Sequence, residues 1–305
     1  MADQINLNEI HDTLVAVAFQ AGAKMKAAKP SALTAGTKMN AVDIVTETDQ
    51  AIEALVSSIL REKYPSFSFV GEETYVKGVT KVTDAPTFIC DPIDGTQNFV
   101  HGFPAACISL GFTLNRKPVV GVVYNPFADV LYTGISGQGS YFTDNASLEQ
   151  GKGCGEKQRL PLTGGGKLGN LSTCLVGIEF GSERDGDNFE LKIETFRKLA
   201  ASKRDYGAMA GAIRSQGSAA LNVCAVASGV MDCYWEGGCY AWDVAAGWCI
   251  LTEAGGVMVS GNPGNWKPEV DERKYLAVRG ASEGQKELIE EFWALVGEGR
   301  MDYTH

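Results

Sequence analysis

The chain has few of the residues and patterns that mark several common classes of site. Its 305 residues include three histidines, His11, His101 and His305, which argues against a His-rich metal site and a Ser-His-Asp triad. No two of its eight cysteines have the C-x-x-C spacing of a zinc knuckle or a thioredoxin-like motif. No apolar run approaches the roughly 20 residues of a membrane helix. The formal net charge of -10 argues against a basic surface that binds nucleic acid.

The overall composition is that of an ordinary globular protein, with 45% hydrophobic and 21% charged residues. The N-terminal "MADQINLNEI" has acidic residues where a secretory signal is basic, and no apolar core follows it. We therefore expect a cytoplasmic protein whose cysteines are mostly reduced core residues, with neither nucleic acid nor membrane as a partner.

Hydrophobic periodicity predicts an α/β (α+β) fold in two halves. Residues 5–28 and 48–63 have helical spacing, and short apolar runs between Thr87 and Thr143, separated by turn residues, predict an antiparallel meander. A Gly-rich segment, 151–169, is a candidate connection. Strands then alternate with helices, which favours a mixed sheet. We predict an N-terminal α+β half over residues 1–150 and a C-terminal α/β half over residues 151–305.

The stretch "CDPIDGTQNF" at 90–99 places two acids directly after an apolar run, where the chain is predicted to break. An Asp-capped surface turn is one interpretation. However, an unpaired carboxylate at the end of a buried strand costs several kcal/mol, which a hard cation would offset. Asp91, Asp94 and the Ile93 carbonyl offer the oxygen ligands that Mg²⁺ prefers. The N–H groups and hydroxyl of Gly95 and Thr96 suit a phosphate oxygen and a water molecule beside such a metal.

Further acidic residues follow or precede apolar segments. They are Glu72 and Glu73 in "FVGEET", Asp43, Glu47 and Asp49 in "DIVTETD", and Asp243 in "CYAWDVAAG". Taken singly, Asp49 and Asp243 also fit as acidic residues at helix N-termini. Together, in a chain poor in histidine, these groups favour one site for a hard metal ion.

Three segments resemble the paired signatures of the inositol monophosphatase family: "GEE" at 71–73, "DPIDGTQNFVHGFP" at 91–104 and "WDVAAGWCILTEAGG" at 242–256. The similarity runs from "VDIVTETDQ" at 42–50 to the last predicted helix. It implies the layered αβαβα sandwich of the metal-dependent, lithium-sensitive phosphatase superfamily. It also implies a homodimer that hydrolyses a small phosphate monoester, a myo-inositol monophosphate, to myo-inositol and phosphate with two or three Mg²⁺ ions per site.

The resemblance assigns most metal ligands to the first half. Glu72, Asp91 and the Ile93 carbonyl are implied to hold the metal that activates the nucleophilic water. Asp91, Asp94 and Asp243 are implied to hold a second metal beside the leaving oxygen.

The remaining implied roles concern water and substrate. Asp49 and Thr96 orient the attacking water, Lys38 lies near the water molecules of the metal site, and the amides of Gly95 and Thr96 bind the phosphate. The residues implied to face the substrate alcohol are Asp94, Gly217, Ser218, Ala219, Glu236 and Asp243. Gln97 replaces the threonine expected after "DGT".

Alternative functions stay open at this point. The same chemistry is used on 3'(2'),5'-bisphosphate nucleotides and on other sugar phosphates, although "PIDGTxNFVHG" is the form typical of the inositol branch. A non-catalytic regulatory relative is a further alternative, which the complete set of carboxylates disfavours.

Overall fold

The computed structural model describes residues 5–28, 36–37, 44–147 and 155–303. The helices predicted over 5–28 and 48–63 are present with bounds that differ by at most two residues. In this part of the chain the helices are α1 (Leu7–Ala27), α2 (Glu47–Lys63), α3 (Thr96–His101), α4 (Gly186–Ala200), α5 (Ala219–Ser228), α6 (Ala241–Glu253) and α7 (Gln285–Val296).

The predicted meander forms most of a seven-stranded sheet in which sequence order equals spatial order. Its first pair is parallel and the others are antiparallel. The strands are β3 (Ser68–Gly71), β4 (Thr87–Asp94), β5 (Cys107–Leu114), β6 (Lys117–Asn125), β7 (Val130–Ile135), β8 (Gly139–Thr143) and β9 (Lys157–Arg159). A separate two-stranded pair joins β1 (Gly36–Thr37) to β2 (Ile44–Val45).

The predicted break after Cys90 is wrong, because β4 continues to Asp94. Its pairing with β5 shifts register between Asp91 and Asp94, as in a β-bulge. A bulge accommodates Pro92, which cannot donate a ladder hydrogen bond, and it turns neighbouring side chains out of the regular alternation. The two aspartates are therefore held by a strand, which fixes them more firmly than a loop would.

The second sheet has five strands in the order β11-β10-β12-β14-β13, with both parallel and antiparallel pairs, so the mixed sheet is confirmed. The strands are β10 (Leu175–Ile178), β11 (Ala212–Arg214), β12 (Cys233–Gly237), β13 (Val257–Ser260) and β14 (Lys274–Val278).

The elements stack as helix, sheet, helix, sheet and helix layers, which confirms the predicted sandwich. One core joins α1 and α2 to the first sheet. A second core lies between the two sheets and contains the apolar residues of α5 and α6, and a third joins α4 and α7 to the second sheet. The described cysteines, seven in number, are free and buried within these layers.

The division at residue 150 stays a prediction. Part of the Gly-rich segment is structured, since β9 pairs with β8 at the edge of the first sheet. Among the helices that the structure describes, none has the length and apolarity needed to cross a membrane.

Candidate active site

Helix α6 lies close against the first sheet, and this contact brings the second half of the chain to β4. At Gly121 on β6, an added Cβ would collide with the carbonyl oxygen of Ala246 on α6. The Ser109 hydroxyl on β5 donates a 3.0 Å hydrogen bond to the carbonyl of Trp242, next to Asp243. The first turn of α6 is therefore fixed over the strands that carry the acidic motif.

Asp91, Asp94 and Asp243 form the carboxylate cluster. One oxygen from each lies within 4.8 Å of the other two, and Asp91 and Asp94 are 2% and 6% exposed. Asp94 is also held by α5, because its Oδ2 accepts hydrogen bonds from the Ser218 hydroxyl at 2.8 Å and the Ala220 N–H at 2.5 Å. Three carboxylates so close together fit a hard cation with oxygen ligands.

The electrostatics of Asp94 agree with that fit. Burial and, to a smaller extent, the negative charge of Asp243 raise the pKa of Asp94 to about 7, against the hydrogen bonds from Ala220 and Ser218. When Asp94 is ionised, its negative charge and that of Asp243 repel each other. A bound cation would remove the repulsion.

Asp49 and Asp243 are each the third residue of a helix. Each accepts a hydrogen bond from the residue that directly precedes its helix. Asp49 Oδ2 accepts from the N–H and hydroxyl of Thr46, and Asp243 Oδ2 accepts from the Tyr240 N–H at 2.6 Å. Asp49 is thus an acidic residue in the first turn of α2, as predicted, whereas Asp243 is the third residue of α6 and not its N-cap, which is Tyr240. This bonding uses one oxygen of each carboxylate. It leaves their second oxygens to other contacts: Asp49 Oδ1 accepts from the Thr96 hydroxyl at 3.3 Å.

Thr96 and Gly95 begin the short helix α3 directly after the bulge. The Thr96 hydroxyl also lies 3.0 Å from the Ile93 carbonyl oxygen, so it connects the two groups. Gly95 has a φ of 89°, and an added Cβ would approach the Ala105 carbonyl oxygen to 2.8 Å. Glycine is required here for both conformation and space.

The "GEE" turn is supported by a residue that the motifs did not reveal. Glu53 on α2 is 1% exposed, and its Oε2 accepts a 2.7 Å hydrogen bond from the Glu73 N–H. Its carboxylate occupies the space where a side chain at Gly71 would lie. Glu72 follows β3 and donates its N–H to the Cys90 carbonyl at 3.1 Å. It lines a cavity beside the carboxylate cluster but is not one of the three carboxylates that lie within 4.8 Å of one another.

A cavity of about 1070 Å³ opens beside the cluster. Glu72, Asp94, Gln97 and Asp243 line it, as does the segment Gly217, Ser218 and Ala219. Five further lining residues form what we call the Glu236 wall: Glu179, Lys192, Glu236, Arg273 and Tyr303.

Glu179 organises the loop before α5. Its carboxylate accepts hydrogen bonds from the N–H groups of Gln216 and Gly217 at 2.5 and 2.7 Å, and from the side chains of Ser215 and Asn222 at 2.5 and 3.0 Å. Glu179 directly follows the apolar strand β10, which is the same signal that identified Asp91. No role was predicted for Glu179 from the sequence.

Glu236 is an acidic group in an acidic neighbourhood. It is 7% exposed and accepts a hydrogen bond from the Tyr234 hydroxyl. Burial and, to a smaller extent, the charge of Glu179 raise the pKa of Glu236 to about 8, although the ammonium of Lys192 opposes the increase. Burial lowers the pKa of Lys192, and the charge of Glu236 opposes that change.

The structure thus brings together the predicted residues that it describes. Lys38 lies outside the described residues. Ser218 borders the cavity, but its hydroxyl is directed to Asp94 and only 1% of its surface is exposed. Lys192 shares a buried stripe with Thr195 and Leu199 on α4, a spacing that marks it as inward-facing, whereas no sequence pattern marks Tyr303.

Stacked helix and sheet layers around three clustered carboxylates fit a hydrolase that uses a hard metal ion. The chain belongs to the inositol monophosphatase family, whose profile matches residues 6–298. It is a phosphatase, like its relatives that are named inositol monophosphatase, and the alternative of a non-catalytic protein is set aside.

Named relatives and a solved structure show how far the likeness extends. The chain is 49% identical over 271 residues to inositol monophosphatase 2 of Saccharomyces cerevisiae, covering 87% of this chain and 86% of that one. It is 38% identical to quinic acid degradation cluster protein x of Neurospora crassa, covering 88% and 83% of the two chains. The structure of inositol monophosphatase from Anabaena superposes with a TM-score of 0.71 at 29% identity, covering 95% and 97%.

Proposed function

We propose that this phosphatase hydrolyses myo-inositol monophosphates to myo-inositol and phosphate with Mg²⁺ as its metal. The observation that carries the proposal is that two carboxylates of the cluster, Asp94 and Asp243, line the same cavity as Glu236. The cluster suits a metal-bridged phosphate, and Glu236 suits the hydroxyl groups of a polyol. The 49% identity to a yeast inositol monophosphatase supports the same substrate class.

The proposed metal ligands are oxygen atoms throughout: Glu72, Asp91, the Ile93 carbonyl, Asp94 and Asp243. Bound Mg²⁺ ions would neutralise the phosphate, lower the pKa of a water molecule and stabilise the leaving alkoxide. No described residue needs to form a covalent intermediate in this scheme.

We propose that Asp49 and Thr96 orient the attacking water. The 3.3 Å contact between Asp49 Oδ1 and the Thr96 hydroxyl supports this pairing. Asp49 Oδ2 is held by Thr46, so the carboxylate keeps a fixed direction while Oδ1 serves the water. Lys38 is proposed to lie near the same water molecules.

The substrate is proposed to lie between the cluster and the Glu236 wall. The Gly95 and Thr96 amides would donate to the phosphate oxygens, and Gly217, Ser218, Ala219 and Glu236 would flank the ring, with Asp94 and Asp243 facing it. Because the Gly217 N–H already donates to Glu179, this loop would contribute shape more than hydrogen bonds. Lithium inhibition, a homodimer and a cytoplasmic location complete the proposal.

The test is phosphate release by EDTA-treated, dialysed protein with and without added Mg²⁺. Myo-inositol 1-phosphate, a sugar bisphosphate and a 3',5'-bisphosphate nucleotide are compared in parallel. We expect no activity without metal, recovery with Mg²⁺, inhibition by lithium and preference for the inositol ester. Full activity after exhaustive EDTA treatment would overturn the metal assignment, and preference for the nucleotide would overturn the substrate.

A second candidate substrate is the phosphate monoester of a different cyclitol. The 38% identity to a protein named for a quinic acid degradation cluster favours including one in the assay. Its turnover above that of myo-inositol 1-phosphate would replace the inositol assignment while leaving the chemistry unchanged.

A further inference from the structure

Lys192 is a buried ammonium in the wall of the candidate active site, and none of the roles proposed above uses it. It lies on α4, is 1% exposed and lines the cavity. Its Nζ donates a 3.0 Å hydrogen bond to the Phe180 carbonyl. Burying a charged lysine is costly unless an opposite charge lies nearby.

Glu236 is that opposite charge. Lys192 Nζ and Glu236 Oε1 lie 3.1 and 3.8 Å from the position that a Cβ on Gly181 would occupy. The two groups therefore border one small gap, which stays open because residue 181 has no side chain. Gly181 has a φ of 66°, which also favours glycine.

The C-terminal segment Met301–Tyr303 packs beside this gap, against the end of β12. The Tyr303 ring lies 5.6 Å from Lys192 Nζ, and Met301 and Tyr303 occupy the space where a side chain on Gly237 would lie. Tyr303 is itself 5% exposed. Water is thus kept from the back of the Lys192–Glu236 pair, which strengthens the attraction between the two charges.

Two asparagine side chains hold this segment in place. Asn262 accepts from the Met301 N–H at 2.9 Å and donates to the Met301 carbonyl at 2.8 Å. Asn188 makes the same pair of bonds with Asp302, both at 2.8 Å. A segment fixed by four such bonds is part of the cavity wall rather than a loose terminus.

We propose that Lys192 is a positioning residue for substrate selection, which favours the ionised form of Glu236, the hydrogen-bond acceptor for hydroxyl groups on the alcohol part of the substrate. This inference rests on the proposed function. Glu179 and Asp243 place negative charge near Glu236, so without the ammonium Glu236 would hold a proton more readily. A protonated carboxyl accepts weaker hydrogen bonds than a carboxylate does.

The first experiment compares Lys192→Met with wild type on two substrates, myo-inositol 1-phosphate and p-nitrophenyl phosphate, which lacks ring hydroxyls. We expect the ratio of the two kcat/KM values to fall about tenfold, mainly through KM for the inositol ester. The control is Lys198→Met on the same helix, whose ammonium donates to the Leu295 carbonyl at 3.1 Å and does not line the cavity. Its ratio should not change.

The second experiment repeats Lys192→Met in a Glu236→Gln background. The double variant has no unpaired charge at this position, so it folds even if the single Lys192→Met protein does not. If Lys192 acts through Glu236, the double variant and Glu236→Gln alone have the same substrate ratio. Equal losses in both backgrounds, or equal losses on both substrates, would overturn the inference. Failure of the wild-type protein to hydrolyse the inositol ester would instead overturn the proposed function.

Discussion

The carboxylate cluster and the Glu236 wall border one cavity but differ in how their charges are balanced. The cluster consists of three carboxylates within 4.8 Å of one another. The Glu236 wall contains two carboxylates and two cationic side chains, with Arg273 stacked 3.8 Å from the Tyr240 ring centre and Lys192 beside Glu236. The cluster is completed by a cation from outside the protein, whereas the wall balances its own charges and suits an uncharged polyol.

Replacing a proposed metal ligand should give the largest effect. In Asp94→Asn we expect kcat to fall by about a thousandfold or more, because one ligand charge is lost while the bonds from Ser218 and Ala220 can still be accepted. The measurement is phosphate release at saturating Mg²⁺. Asp84→Asn is the matched control, since Asp84 is an exposed carboxylate paired with Arg116 at 3.3 Å. A variant that keeps more than about a tenth of wild-type turnover, roughly 1.4 kcal/mol of barrier, would place Asp94 outside the metal shell.

A change in the Glu236 wall should affect one substrate class more than the other. Glu236→Gln should lower kcat/KM for myo-inositol 1-phosphate by about 10- to 100-fold, as expected when a charged hydrogen bond worth roughly 1.5–3 kcal/mol is lost. Turnover of p-nitrophenyl phosphate should change little. An equal decrease on both substrates would mean that Glu236 serves the metals or the fold, and the contrast between the two regions would disappear.

The charge repulsion in the cluster should also appear in the stability of the metal-free protein. Because the folded pKa of Asp94 is raised from 3.8 to about 7, folded Asp94 keeps a proton that the unfolded chain has lost within this window. Stability from this group is therefore fully present below about pH 4 and is lost as the pH rises to 7, by up to about 1.4 kcal/mol per pH unit. Asp94→Asn removes this pH-dependent loss of stability, because asparagine does not titrate.

Urea unfolding of metal-free wild type and Asp94→Asn at pH 5, 6, 7 and 8 measures the effect. The stability of the variant relative to wild type should rise from pH 5 to 7 and then level off. A difference that is constant with pH would show that burial and the charge of Asp243 do not raise the pKa of folded Asp94.

The smallest effect is expected at the outer edge of the Glu236 wall. The buried Tyr303 hydroxyl has no hydrogen-bond partner among the described residues, so Tyr303→Phe should leave the free energy of unfolding unchanged or raise it by up to about 1 kcal/mol. Tyr275→Phe is the matched control, since the Tyr275 hydroxyl donates to the Val270 carbonyl at 2.8 Å. That variant should lose about 1–3 kcal/mol. A similar loss in Tyr303→Phe would reveal a hydrogen bond at Tyr303.

Most elements of the fold were predictable because their apolar residues repeat with the period of a helix or a strand. The ends of the elements were less predictable. Strand β4 continues through Pro92 because a bulge accommodates a residue that a regular ladder excludes. Asp91 and Asp94 were found because they follow an apolar run within one short segment. Glu179 had the same signal and was missed, and Glu53 was hidden because one acidic residue on a helix is ordinary.

The sequence by itself determined the layered α/β elements and the acidic motifs, since both are encoded by neighbouring residues. Only the tertiary structure decided that Asp243 meets Asp94, and that Lys192 on α4 faces Glu236 on β12 beneath the ring of Tyr303. Those contacts join residues far apart in the chain, and they depend on close approaches at Gly121, Gly181 and Gly237. The physical reason is that periodicity fixes which side of an element is buried, whereas the packing of layers fixes what that side meets.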